Sequence, residues 1–309
     1  MKTLVTGGAG FIGSHLVDAL IAAGHSVAVV DWAEPGDRKN DQATYILKDI
    51  RDKDLDSVIR AEAPEVVFHL AAHIDDRASV KDPVMNAEHN ELGSINVFEG
   101  ARKAGAKKII FASSCAVYGL QEKQPITEKM APRPRTPYGI SKLAGEKYLD
   151  AYSLEHGMVT VALRFANVYG PRQDGSKESG AIAIFTAKLL QKESPFINAD
   201  GLTTRDYVFV GDVVSAMIAS AEGNVSGVFN VGTGKETSTN ALFELVKAGA
   251  RAEVTATPRP EVKDAVVRMS LKNTLLKKTF GWKPKTSLKK GIKQTLLWYS
   301  RKNRTASTS

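Results

Sequence analysis

The chain of 309 residues has one cysteine, Cys115, so it forms no intramolecular disulfide and suits a reducing compartment. It has no apolar run long enough to span a bilayer, and because its first residues enter a strand directly, no signal peptide is expected. No membrane association is expected, and the expected location is cytoplasmic. Internal repeats are absent, and no metal site is expected. Acidic residues are missing from Leu271 to Ser309, where eleven Lys/Arg outweigh the net charge of +8 for the whole chain. Leu288, Ile292, Leu296 and Leu297 recur at helical spacing among those lysines, so the stretch reads as a packed amphipathic helix with a solvated basic face. A nucleic-acid arm is the competing reading and is not favoured. The positive field would still attract an anionic substrate. Arg301 to Ser309, polar and without apolar anchors, reads as a disordered tail.

What is present is ordinary for a soluble globular protein: 43% hydrophobic and 25% charged residues, on a chain long enough for one large domain or two. The opening carries the strongest signal. Leu4-Val5 completes a strand, Thr6-Gly7-Gly8-Ala9-Gly10 turns, and Phe11-Ile12-Gly13 begins an amphipathic helix. Gly7, Gly10 and Gly13 let the backbone turn sharply, approach a pyrophosphate and pack the helix on the sheet. The helix N-terminus offers unpaired N–H groups to phosphate. A second strand, Ser26–Val30, ends at Asp31, whose carboxylate can accept bonds from an adenosine ribose diol and would repel a 2′-phosphate. NAD is the expected cofactor.

Apolar runs at 65–70, 108–112 and 159–164 read as buried strands, and helical patterns at 84–104 and 141–155 separate them. Strand and helix alternating in this way predict an α/β fold: a Rossmann-type doubly wound parallel sheet with helices on both faces. After Pro171-Arg172 the rhythm changes to a polar loop (173–180), a helix (180–191), short strand and turn (194–204) and final helices, a smaller C-terminal α/β substrate domain. The expected division is a dinucleotide-binding domain over 1–172, joined by 206–232, and a mainly substrate-binding domain over 173–309. In an open sheet of this kind, the loops after Leu70, Ala112 and Leu163 line one crevice.

Chemistry concentrates at Ser113-Ser114, where a strand ends, and at Tyr138-Gly139-Ile140-Ser141-Lys142, where a helix opens. Tyr138 and Lys142 share a helix face. A lysine ammonium near a phenol stabilises the phenolate and lowers the tyrosine pKa. Ser114 can hydrogen-bond the same substrate oxygen. The three make a base, its activator and an orienting hydroxyl for interconverting an alcohol and a ketone beside a nicotinamide. Tyr-x-x-x-Lys alone is common on helix faces; its position downstream of the glycine turn gives it meaning.

These residues, with His69-Leu70-Ala71-Ala72, Ser114-Cys115-Ala116-Val117-Tyr118-Gly119, Arg164-Phe165-Ala166-Asn167-Val168-Tyr169-Gly170-Pro171, Arg205-Asp206-Tyr207-Val208-Phe209-Val210 and Phe280-Gly281-Trp282-Lys283-Pro284, resemble the extended short-chain dehydrogenase/reductases of the nucleotide-sugar epimerase/dehydratase family. The resemblance covers nearly the whole chain. It implies Phe11 and Ile12 over the pyrophosphate, Asp31 on the ribose, Asp49 and Ile50 against the adenine, and Leu70, Ala71, Ala72, Asn90 and Ala166 along the cofactor cleft. It implies Ser114, Tyr138 and Lys142 as catalytic, with Lys142 also on the nicotinamide ribose, and Asn167, Arg205 and Arg259 on the sugar-nucleotide diphosphate. An ion pair between Arg205 and Asp206 is the alternative for that arginine.

The implied reaction is inversion at C4 of a UDP-sugar, UDP-glucose to UDP-galactose and back, through a 4-keto sugar that turns over between loss and return of hydride. Sugar dehydratases carry an acidic pair after the serine; here Cys115 and Ala116 stand there, and elimination lacks its acid. Asn198 falls where such epimerases often place an aromatic, and Arg77, in the run Asp75-Asp76-Arg77, matches an arginine of uronate-sugar epimerases. UDP-glucuronate and UDP-N-acetylhexosamines are therefore alternative substrates, and a non-catalytic NAD-binding regulator is the alternative of another class. The resemblance also implies a homodimer built from the helices at 84–104 and 141–155.

Overall fold

Runs of valine, isoleucine and leucine buried on both faces build one seven-stranded sheet in the computed structural model, which describes residues 1–175, 180–260 and 266–306. Its strands are β1 (Lys2–Thr6), β2 (Ser26–Asp31), β3 (Thr44–Leu47), β4 (Val66–His69), β5 (Lys108–Ser114), β6 (Val159–Phe165) and β7 (Gly227–Val231). They lie in the order β7-β6-β5-β4-β1-β2-β3, and every neighbouring pair is parallel. Successive residues face opposite cores, as the pleat requires. Val5, Phe68 and Ile110 join Leu16, Val17 and Leu20 of the helix Phe11–Ala22 on one side. Leu4, Val67 and Ile109 join Ile59 and Phe98 on the other. The order reverses between β1 and β4, and a ligand crevice opens at their carboxyl ends.

A third core, containing Ile182, Phe185, Leu242, Phe243, Ile292 and Leu296, is formed by the helices Ala181–Leu190, Thr239–Ala250 and Leu288–Ala306. Three two-stranded pairs lie outside the main sheet: Asn167–Tyr169 with Tyr207–Phe209, Thr204–Arg205 with Thr237–Ser238, and Phe196–Asn198 with Thr257–Arg259.

Several expectations from sequence need correction. The helix expected over 84–104 is broken into Pro83–Ala87, a π-helical turn Glu88–Leu92, and Gly93–Lys103. Side-chain demand explains the widened turn: Asn90 is held by the His73 backbone on both sides, and a Cβ on Gly93 would come within 2.7 Å of Ile50 Cδ1. The helix expected from Ser141 starts at Pro137, because Thr136 accepts the Gly139 N–H at 3.3 Å and proline suits the first position. The tail expected to be disordered from Arg301 continues the last helix to Ala306, where Lys302 lies over the Trp298 ring and 3.3 Å from Asp37; residues 307–309 are outside those described. Residues 176–179 of the expected loop are also outside them.

Candidate active site

The glycine turn is a close-packed cradle. Gly7 has φ +73°, and a Cβ there would lie 2.6 Å from the Ala71 nitrogen; at Gly13 it would lie 2.1 Å from the Gly7 carbonyl oxygen. No larger residue fits either position. Gly10 precedes the helix Phe11–Ala22, which has no side-chain cap and no acid in its first turn, so Phe11, Ile12 and Gly13 present the positive end of the helix to the crevice. Asp31 is buried and accepts the Ala9 N–H at 2.9 Å and the Ala33 N–H at 3.1 Å. Burial raises its pKa, and those two N–H groups pull it back. The carboxylate thus ties the glycine turn to the end of β2. An uncapped helix end, a glycine-only cradle and an acid at the end of β2 fit a dinucleotide.

Around this cradle the expected cofactor residues divide. Leu70 and Ala71 sit at the end of β4, tied to β1 by Leu70 N–H to the Thr6 carbonyl (3.1 Å) and Ala71 N–H to Thr6 Oγ1 (3.3 Å), with half-buried Ala72 beside them. Ile50 is buried against Gly93, and Asp49 pairs with Arg51 at 2.7 Å, a bond that lowers its pKa. Asn90 is 2% exposed and fixes the loop after β4, accepting the His73 N–H at 2.8 Å and donating to its carbonyl at 2.9 Å. It acts by holding the backbone. Ala166 is buried, its N–H bonded to Val231 at 3.0 Å.

The expected trio meets. Ser114 ends β5 and accepts the Ala116 N–H at 3.2 Å, and its hydroxyl lies close enough to the Tyr138 phenol to lower the phenol's pKa. Tyr138 lies in the first turn of its helix, its N–H donated to Ser79 Oγ at 3.2 Å. Lys142 Nζ, one turn on, is 5.9 Å from the centre of the Tyr138 ring and 4.8 Å from that of Phe111, and donates to the Ala112 carbonyl at 2.9 Å.

The electrostatics differ from the expectation. Burial pushes the Tyr138 phenol up to about 12, against the pull of Ser114. Burial also pushes Lys142 down to about 7, with Glu146 opposing. With its pKa near 12, the phenol is neutral in this state. Cys115 is likewise pushed up to about 11 by burial, an inert thiol.

Beneath the trio lies a network that sequence gave no sign of. Glu146, on the same helix as Lys142, receives Arg164 Nε at 2.8 Å and Nη2 at 2.6 Å and the Ser113 hydroxyl at 2.6 Å. Both partners are under 5% exposed. Burial alone would depress the arginine pKa, but the Glu146 bonds outweigh it and raise it. The Arg164 guanidinium stacks 4.6 Å over the Tyr118 ring, whose hydroxyl donates to Asn230 at 2.8 Å. Further along the crevice, His69 is fully buried between Thr6 Oγ1 (2.7 Å) and Ser94 Oγ (2.9 Å), and burial drives its pKa to about 3.

Asn167 begins the short strand that follows β6 in the chain, with its Oδ1 buried and lacking a hydrogen-bond partner. Arg205 is half-buried, donates to the Thr204 carbonyl at 2.8 Å and lowers the Cys115 pKa through its charge, which places it near the end of β5. The Asp206 pairing is not formed: that carboxylate accepts from Thr233, Gly234 and Leu271 instead. Arg259 stands apart. It is exposed on the strand Thr257–Arg259, and its guanidinium lies 3.4 Å from the centre of the Phe196 ring.

Residues 3–232 match the profile of the NAD dependent epimerase/dehydratase family. A UDP-glucose 4-epimerase of Mycolicibacterium smegmatis is 40% identical, the alignment covering 98% of this chain and all of the relative. Among solved structures, a UDP-glucose 4-epimerase from Thermotoga maritima with UDP-glucose superposes with a TM-score of 0.96 at 40% identity, covering 98% of this chain and 100% of its own. A Thermus thermophilus UDP-glucose 4-epimerase in complex with NAD gives 0.92 at 37%, covering 97% and 99%.

Proposed function

This chain belongs to the NAD dependent epimerase/dehydratase family, and from that premise we propose that it is an NAD-dependent UDP-glucose 4-epimerase, inverting C4 of UDP-glucose and UDP-galactose. The observation that carries the reading is the junction of Ser114, Tyr138 and Lys142 at the carboxyl end of β5, alongside a dinucleotide cradle.

NAD, which the glycine cradle and Asp31 would hold, would supply a hydride acceptor and donor for oxidation and reduction at C4. The chain's own residues handle protons and position. The Tyr138 oxygen receives the C4 hydroxyl proton, and Ser114, whose hydroxyl neighbours the phenol, orients that hydroxyl. A phenol held near 12 needs positive charge nearby to act as a base, and Lys142 is the adjacent cation from the chain. With its own pKa near 7, Lys142 gains and loses a proton around neutrality. Arg205 and Asn167, both without a committed anionic or amide partner, are suited to the diphosphate.

Residues 173–309, apart from the segment that returns to the sheet as β7, serve as the substrate-binding half. Exposed Leu92 and Leu154, on the interrupted helical segment 83–103 and the helix Pro137–His156, support pairing of two chains through these helices. A UDP-uronate is the alternative substrate, on one specific ground. Asp75 caps the helix Asp76–Lys81 and Asp76 accepts the Thr136 hydroxyl at 2.5 Å, which leaves Arg77, near the trio, with no ion pair among the described residues.

Incubating the NAD-loaded protein separately with UDP-glucose, UDP-galactose, UDP-glucuronate and UDP-N-acetylglucosamine, and resolving the products chromatographically, tests the reading. Conversion of the first two is expected. Conversion of the uronate alone would transfer the assignment to the second substrate.

A further inference from the structure

The segment Pro171–Gln173 leaves the short strand Asn167–Tyr169 with three successive carbonyls, each held by a side chain from a different element. His15, on the helix Phe11–Ala22, bonds the Pro171 carbonyl through Nε2 at 2.9 Å. Arg38, from the loop after β2, donates Nη2 to the Arg172 carbonyl at 3.0 Å. Tyr299, on the last helix, donates its hydroxyl to the Gln173 carbonyl. Arg38 also donates Nη1 to the Ala9 carbonyl at 3.1 Å, and Ala9 is the residue whose N–H is held by Asp31. The same guanidinium therefore grips the cofactor cradle and the segment that leads to the C-terminal half.

Other contacts reinforce this fastening. Arg172 has φ +67°, a left-handed backbone that a non-glycine residue keeps only when its surroundings enforce it. Its side chain pairs with Asp18 at 2.7 Å, on the helix that carries His15. Asp37, next to Arg38, pairs with Lys302 of the last helix at 3.3 Å. A segment with only a turn to make satisfies its carbonyls locally or in water. Here three distant donors hold consecutive carbonyls against an unfavourable backbone.

We propose that His15, Arg38 and Tyr299 are positioning residues forming a strap over the adenosine side of the crevice, which sets how slowly the dinucleotide leaves while the sugar nucleotide exchanges freely. The proposal rests on the epimerase reading, in which the cofactor is restored at each turnover and has no need to depart. Opening the adenosine side requires the Arg38 bridge between Ala9 and Arg172 to break, whereas Ser114, Tyr138 and Arg205 lie outside it.

The test is NAD release from the loaded full-length protein, followed by trapping freed NAD with an excess of an NAD-consuming dehydrogenase. Arg38→Met, which keeps bulk and removes the charged donor, is expected to release NAD roughly tenfold faster, and Tyr299→Phe roughly threefold faster. For Tyr299→Phe, which makes no contact with the cradle, turnover at saturating NAD should stay within about twofold of the parent. The melting temperature of the NAD-free chain should fall by only a few degrees, the effect of one or two lost hydrogen bonds. Release at the parent rate overturns the proposal, as does faster release accompanied by a larger loss of melting temperature or, for Tyr299→Phe, by a fall in turnover at saturating NAD. If Arg38→Met does not fold, Tyr299→Phe decides alone. If the parent releases NAD slowly but converts no sugar nucleotide, the epimerase reading fails while the strap stands.

Discussion

One helix, Pro137–His156, carries two buried charges a turn apart that are treated in opposite ways. Glu146 meets Arg164 in a two-pronged ion pair and receives a serine hydroxyl as well. Lys142 is just as deep but has only a backbone carbonyl and two aromatic faces, and its pKa is driven down to about 7. A charge whose partners are complete is locked in one protonation state and serves the scaffold. A charge left under-partnered titrates in the range where the reaction works. The fully bonded pair holds the end of β5 and the helix in register, and so fixes the distance between Ser114 and Tyr138.

The largest effect that sharpens this contrast is Tyr138→Phe. It should lower turnover by roughly 10² to 10⁴ while NAD binding and the melting temperature persist; steady-state kinetics beside a cofactor titration check it, and unchanged turnover removes Tyr138 as the base. Next, Glu146→Ala leaves the Arg164 charge buried without its partner and should cost about 3–5 kcal/mol of stability in urea unfolding. A loss of activity without that stability loss would erase the distinction between the two charges.

Third comes acid. His69 is neutral in the fold with a pKa of about 3, below its ordinary 6.5, so the unfolded chain binds more protons between those values. Its contribution is complete above pH 6.5 and is lost as pH falls toward 3, with a total on the order of a few kcal/mol. Melting curves from pH 7 to 4 should therefore fall less steeply for His69→Gln than for the parent. An identical slope would assign the acid sensitivity elsewhere. The smallest effect is expected at the rim of the crevice: Arg205→Met should raise KM for UDP-glucose about tenfold with kcat nearly unchanged, the loss of one charge-assisted contact.

The glycine turn and the trio were legible because their meaning is local. A strand, a turn and a helix follow one another in ten residues, and Tyr138 and Lys142 need only helical spacing to meet. The doubly wound order followed from the alternation of strand and helix. What could not be read depends on partners far apart in the chain: the Arg164–Glu146 pair, the carbonyls held by His15, Arg38 and Tyr299, and the depth that pushes Tyr138 and Lys142 away from their ordinary pKa values. The π-turn at Glu88–Leu92 was hidden for the same reason, since helical periodicity over 84–104 is preserved while Asn90 answers to a loop on another strand. Arg301–Ala306 looked unstructured because its anchors, Asp37 among them, come from the opposite end of the chain.

The outermost strand on one side of the sheet, β7, is contributed by residues 227–231, long after the chain has left for the C-terminal half. Truncation near residue 172 would strip β6 of its neighbour and leave a raw row of N–H and C=O groups along an aliphatic strand, the template on which sheets stack between molecules. A fragment of that kind would emerge as an aggregate, and protease nicks in the second half would be felt in the first.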